Sequence, residues 1–168
     1  MTTNWKYFSL EQVNNKEGPD WKLWEQPDDY YSRGRNAFHA AEAARSQGEA
    51  LFDAFHYALL RARHEEKQDI AGMETLNKVA EGVGLDMDRF RKDLRDRRLL
   101  DRLAEDHTFA VESLGIFGTP TLVFPEQKAV FLKMMPPPSS EEAFAVFEDV
   151  RHMAVNRLQI KEIKRPQA

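Results

Sequence analysis

The sequence predicts an α/β fold in which a large helical block is set into a small sheet of about three strands. Three observations predict it. Residues 35–114 carry apolar side chains at helical spacing almost without a break. Thr121-Leu122-Val123-Phe124 and Ala129-Val130-Phe131-Leu132 then change the period to short apolar runs of strand length. A third run, Trp5 to Leu10, is aromatic-rich and stands near the start of the chain.

Composition narrows the function classes. The chain has 168 residues, 42% of them hydrophobic and 31% charged. A chain of this size buries roughly 70% of its unfolded surface, enough for one domain with a real core. The net charge of -4 lacks the basic excess of a nucleic-acid binder, so no nucleic acid is expected as partner. There is no run of 18 apolar residues, so no membrane partner is expected either. Residues 1–15 lack the charged start, apolar centre and small-residue site of a secretory signal, so a cytoplasmic location is the expectation. The chain contains no cysteine. That excludes a disulfide, a thiolate metal site or a cysteine nucleophile among its own side chains.

The elements follow in order. After the Trp5–Leu10 strand, residues 11–34 hold Gly18-Pro19, Pro27 and Asp28-Asp29 and read as a loop, with a helical turn near Trp21 and Trp24. Ala37 to Gln47 is an alanine-rich helix stopped by Gly48. Phe52, Phe55 and Leu59 line one face of a helix over 49–64. Met73, Leu76, Val79, Ala80 and Val83 line the next, with Gly84 as its stop. Asp86 opens a short helix carrying Met87, Phe90 and Leu94. Leu99, Leu103, Ala110, Val111 and Leu114 mark one longer helix ending at Gly115. The two strand runs flank the turn-like Pro125-Glu126-Gln127-Lys128 and predict an antiparallel hairpin. After Pro136-Pro137-Pro138, Ser139 and Glu142 form a capping box for a last helix with Phe144, Phe147, Val150 and Ala154 on its apolar face. The tail, 161–168, is expected to fray.

The segment with identity in it is Gly115-Ile116-Phe117-Gly118-Thr119-Pro120-Thr121, which leads from a helix into a strand. Proline here cannot donate to a sheet ladder and tolerates a cis bond far better than other residues. This run resembles the cis-proline loop of the thioredoxin fold, and in particular of its DsbA-like branch. The order of elements around it is similar to that family over nearly the whole chain. On that resemblance the chain is a single domain, 1–168, with a helical insertion at about 35–114. The cis-Pro loop, hairpin and last helix then occupy about 115–158. Trp5–Leu10 looks like the family's second core strand.

The resemblance implies a thiol–disulfide oxidoreductase, in which the backbone of Thr119, with Gly118 and Pro120, pairs with an extended protein or thiol substrate. It also exposes a departure. The family's Cys-x-x-Cys sits on the first core helix, behind the first core strand, and neither is found here. No catalytic residue, metal or cofactor can be assigned, and the chain alone is expected to be inactive. The sheet is expected to lack its central strand. Three sources stay open: residues upstream of this chain, a strand-donating partner or second copy, or closure of the second strand onto the hairpin. Two rival functions also stand: a glutathione-dependent isomerase or transferase of similar fold, and a non-catalytic binding module.

Other constellations favour structural readings. His56 and His64, with Glu65 and Glu66, lack metal-site spacing. Asp106-His107 are adjacent and cannot face each other on a helix. The cluster Arg89, Arg91, Lys92, Arg95, Arg97, Arg98 and Arg102 is interleaved with aspartates, as in a solvated ion-paired face. Trp21 and Trp24 are expected to pin a loop. Ser9 and Thr119 are hydroxyls with no base nearby in sequence to activate them.

Overall fold

A computed structural model describes residues 2–165. The chain divides into two compact units, one reaching to Ala110 and the other beginning at Val111.

The first unit is helical. Its centre is α2 (Arg33–Arg45), which buries Ala37, Ala40, Ala41, Ala43 and Ala44. Side chains this small let neighbouring helices approach closely, and larger side chains fill the space around them. These are Phe52 and Phe55 from α3 (Glu49–His64), Leu76 from α4 (Met73–Gly82), Phe90 from α5 (Met87–Asp93) and Leu103 from α6 (Asp101–Thr108). The predicted stops and starts are explicit. Gly84 takes a left-handed φ of +79°, and the amides of Gly84 and Leu85 close onto the carbonyls of Glu81 and Ala80 at 3.0 and 3.1 Å. Those two bonds are a Schellman cap, which explains why glycine is required there. Asp86 then accepts the Arg89 amide at 3.0 Å and opens α5.

The loop between α1 (Leu10–Val13) and α2 is ordered by arginine. Arg35, 4% exposed, donates to the carbonyls of Gln26, Pro27, Asp28 and Tyr30 at 2.9–3.2 Å. Arg97 donates to the Trp24 and Gln26 carbonyls and pairs with the Asp28 carboxylate. Loop carbonyls that have no helix or sheet to satisfy them are thus satisfied by two guanidinium forks.

Two expectations are corrected here. The Trp5–Leu10 strand is not a strand: residues 3–9 are irregular, and Leu10 already belongs to α1. Burial still alternates, with Lys6 exposed, Tyr7 buried, Phe8 half-buried and Ser9 buried. The segment therefore has a strand's side-chain pattern without a ladder, because no strand among the described residues pairs with it. The single helix expected over 99–114 is broken into a 3-10 turn (Arg97–Leu100), α6, and a π-helical turn (Phe109–Ser113).

In the second unit, β1 (Thr121–Phe124) and β2 (Lys128–Phe131) pair antiparallel, Thr121 opposite Phe131 and Phe124 opposite Lys128. Among the described residues the sheet is thus two-stranded, not about three-stranded. The connection Pro125–Gln127 turns with Glu126 and Gln127 both at φ +59°. α7 (Ala143–Asn156) packs on the hairpin through Phe147, whose ring centre lies 6.0 Å from that of Phe124, and buries Ala154. Ser139 and Glu142 bond reciprocally one turn ahead of it, at 2.8 and 3.3 Å. Residues 161–165 are irregular, and the rest of the expected frayed tail lies outside the described residues. Among the described residues no helix is long and apolar enough to cross a membrane.

Two outcomes follow from the packing. Phe55 is fully buried among the helices, so Phe55→Ala should lower stability by about 3–5 kcal/mol in urea unfolding. Burial holds the imidazoles of His39, His56 and His107 below the ordinary histidine range. The unfolded chain therefore takes up protons first as pH falls. Stability should be fully present above about pH 6.5 and decline below it, read as a lower urea midpoint at pH 5 than at pH 7.5.

Candidate functional site

The residues singled out in sequence, Gly118, Thr119 and Pro120, form the entry to β1. Gly118 is buried against the Phe131 ring, and a Cβ there would lie 3.3 Å from a ring carbon. Glycine thus keeps the loop pressed onto the hairpin. The Gly118 carbonyl accepts the Thr121 hydroxyl at 2.7 Å, and the Pro120 carbonyl accepts the Leu132 amide at 3.0 Å. The second bond extends the hairpin ladder by one rung, back to the proline. The Thr119–Pro120 peptide bond is cis.

Between these two anchored residues Thr119 is exposed, and its backbone N–H and C=O form no hydrogen bond among the described residues. β1 has β2 on one side and no other strand among the described residues on its other side. Phe117 is 70% exposed, its ring centre 5.3 Å from that of Phe131, itself 44% exposed. The arrangement offers an extended ligand a donor, an acceptor and an adjoining aromatic surface. It holds no nucleophile and no base.

A second constellation lies in the helical unit, and sequence reasoning missed what it does. Asp106 and His107, both buried at the end of α6, do not bond to each other. They both bind the extended segment. Asp106 accepts the Tyr7 amide at 3.2 Å and pairs with Lys6 at 2.8 Å and Arg102 at 3.2 Å. His107 Nδ1 accepts the Ser9 amide at 3.1 Å. A nitrogen that accepts carries no proton, so the ring is the neutral tautomer with its proton on Nε2. Desolvation, with a smaller contribution from Lys22, lowers the pKa of this histidine. The ring is packed by Phe8 and Trp24, at 4.9 and 5.6 Å between centres.

Two residues along an extended chain, Tyr7 and Ser9, present amides on the same edge. Asp106 and His107 thus occupy the place of a neighbouring strand on that edge. The amides of Lys6 and Phe8, on the opposite edge, form no hydrogen bond among the described residues. The only sequence signal was the paired acceptor types at 106 and 107, and nothing in the sequence says what they accept. Tyr7 is further held by its hydroxyl, which donates to Glu42 at 2.7 Å. Burial and the Glu42 carboxylate push that phenol well above its ordinary range.

The remaining candidates have structural duties. His56 is half-buried between Trp5, 4.4 Å away between ring centres, and Phe52, on which it stacks. Its Nε2 has no partner among the described residues. Among those residues no group of three or more His, Cys, Asp or Glu side chains is placed to hold a metal. Ser9 Oγ caps α1 by accepting the Gln12 amide at 3.0 Å. Trp21 meets Tyr30 edge-on and Trp24 covers His107, so both tryptophans fix the loop. The basic cluster is ion-paired: Arg89 with Asp93, Arg91 with Glu81 and Asp88, and Arg98 with Asp96.

A family model described as thioredoxin matches residues 4–131, from the extended segment through the end of β2. The Na(+)/H(+) antiporter NhaA 3 of Salinispora tropica is 39% identical over 93 residues. That alignment covers 55% of this chain and 13% of the antiporter, so the chain matches only a small part of that relative's length.

Asp106→Ala would strand the buried Tyr7 amide, while its two cations, Lys6 and Arg102, are exposed enough to return to water. The expected loss is about 1–2 kcal/mol in urea unfolding, with α-helical circular dichroism unchanged.

Proposed function

This chain belongs to the thioredoxin family, and from that premise we propose that it serves a DsbA-like member as the part that docks an extended polypeptide substrate. Gly118, Thr119 and Pro120 are the docking residues. The thiol pair that exchanges with the substrate's disulfide comes from outside these residues, since the chain has no cysteine of its own. The observation that carries this reading is the exposed Thr119 backbone, with both polar groups unbonded beside an open strand edge. A peptide lying there adds itself as a strand: main-chain bonds supply affinity, and contact with Phe117 and Phe131 supplies preference for apolar side chains.

A second reading is favoured by the missing sulfur. The chain is then a binding module, which holds a thiol- or disulfide-bearing polypeptide without reacting with it. Similarity to a stretch of a much longer protein described as an antiporter is compatible with a module appended to other functions. Ion transport is not carried over, because the match covers 13% of that protein.

Both readings place the peptide on Thr119, and one experiment tests that placement. A fluorescein-labelled twelve-residue peptide of alternating valine and serine is titrated with the chain and read by anisotropy. Thr119→Pro removes the Thr119 N–H and should weaken binding at least tenfold. Thr119→Ala keeps the backbone and should stay within about twofold. Equal losses in the two variants, or no binding by the wild type, would contradict the proposal. Adding a Cys-Pro-x-Cys peptide as thiol donor and following disulfide reduction of a labelled substrate then separates the two readings. Acceleration by the chain favours the oxidoreductase, and its absence the module.

A further inference from the structure

The Ser9–His107 contact has a property that the Tyr7–Asp106 contact lacks: its acceptor can become a donor. Nδ1 accepts the Ser9 amide at 3.1 Å inside the unit, with Ser9 2% and His107 5% exposed. A second proton on the imidazole can only go to Nδ1. Two N–H groups would then point at each other across that distance, in a space closed by Phe8 and Trp24. No rotation of the backbone amide relieves this while Ser9 stays in place, because Ser9 Oγ also caps α1.

We propose that His107 is a proton-operated latch: its neutral Nδ1 holds the Ser9 amide and with it the extended segment, and a proton on Nδ1 releases them. The release passes to α1, and then to the loop, through Gln12. The Gln12 side chain donates to the Trp21 carbonyl and accepts the Leu23 amide, both at 2.8 Å. Tyr7 remains tied to Asp106 and Glu42, so the segment hinges there.

The charged groups around the ring set the direction of the switch. Lys22, from the residue before the Leu23–Glu25 turn, opposes a positive imidazole. On α6 itself, Asp106 is committed to Tyr7, Lys6 and Arg102. On the Arg97–Leu100 turn, which packs against α6, Arg97 is paired with Asp28 and Arg98 with Asp96. Glu25 is exposed on its own turn. Burial and Lys22 thus both resist protonation in the latched state. The latch holds at neutral pH and opens in mild acid.

The test follows the intact chain by NMR between pH 7.5 and 5. The His107 ring is titrated while amide exchange protection, corrected for the intrinsic pH dependence, is measured at Ser9, Tyr7 and Leu59. Ser9 protection should fall along the His107 titration by up to about 30-fold. That limit is set by an ordinary imidazole pKa near 6.5 in the released state. Leu59, in the core of α3, exchanges with the unfolding of the whole unit and follows His39, His56 and His107 together, so its protection should stay above that of Ser9 at every pH. Ser9 protection that stays constant through the His107 titration, or that equals that of Leu59 at every pH, would overturn the latch. In His107→Gln the amide oxygen still accepts from Ser9 but takes up no proton, so the Ser9 profile should be flat; a fall as steep as in the wild type would overturn it. The wild-type comparison needs no variant and decides the matter even where His107→Gln does not fold.

Discussion

The helical unit depends on an interaction that replaces a sheet ladder with two side chains. A buried extended segment must satisfy its amides, and this one has no neighbouring strand among the described residues to do it. Asp106 and His107 supply the acceptors, two residues apart in target and adjacent in origin. Both reach the same extended segment from adjacent positions in the last turn of α6. Ser9 is held in place for its cap, α1 forms on that cap, and Gln12 from α1 fixes the Trp21–Leu23 stretch. Arg35 and Arg97 complete the loop from the other side.

Much of this architecture is legible in the sequence because helices announce themselves locally. The alanine face of α2, the Phe52-Phe55-Leu59 stripe and the Gly84 cap are periodicity and backbone chemistry, readable without knowing any neighbour. The hairpin is legible for the same reason, although β2 begins one residue early, at Lys128. Trp5–Leu10 misled because alternating aromatic residues report which faces are buried and not whether a ladder exists. The break in the 99–114 helix is hidden too, since apolar spacing runs through the π-helical turn. Arg35 looks like a surface residue at the start of a helix. Its role as a four-carbonyl clamp depends on a loop that folds back over it.

The candidate site divides in the same way. Gly118-Thr119-Pro120 is recognisable as a motif, and its neighbours explain each residue. Gly118 fits beneath Phe131, the Pro120 carbonyl extends the hairpin, and Thr119 between them is left with its backbone exposed. The Asp106-His107 pair carries no motif. Ruling out a charge relay between them is correct, since they do not touch, but it leaves their common target unseen. The absence of cysteine is plain from the sequence and sets the chemical limit: these residues cannot exchange a disulfide.

Amide hydrogen exchange across Lys6, Tyr7, Phe8 and Ser9 at neutral pH tests this account most directly. Side chains bind one edge of the segment and nothing among the described residues binds the other, so protection should alternate. Tyr7 and Ser9 should exchange slowly, and Lys6 and Phe8 close to the rate of an unstructured peptide. Uniform protection through all four would mean a ladder on both edges, and uniform fast exchange would mean that Asp106 and His107 do not hold the segment; either result contradicts the account.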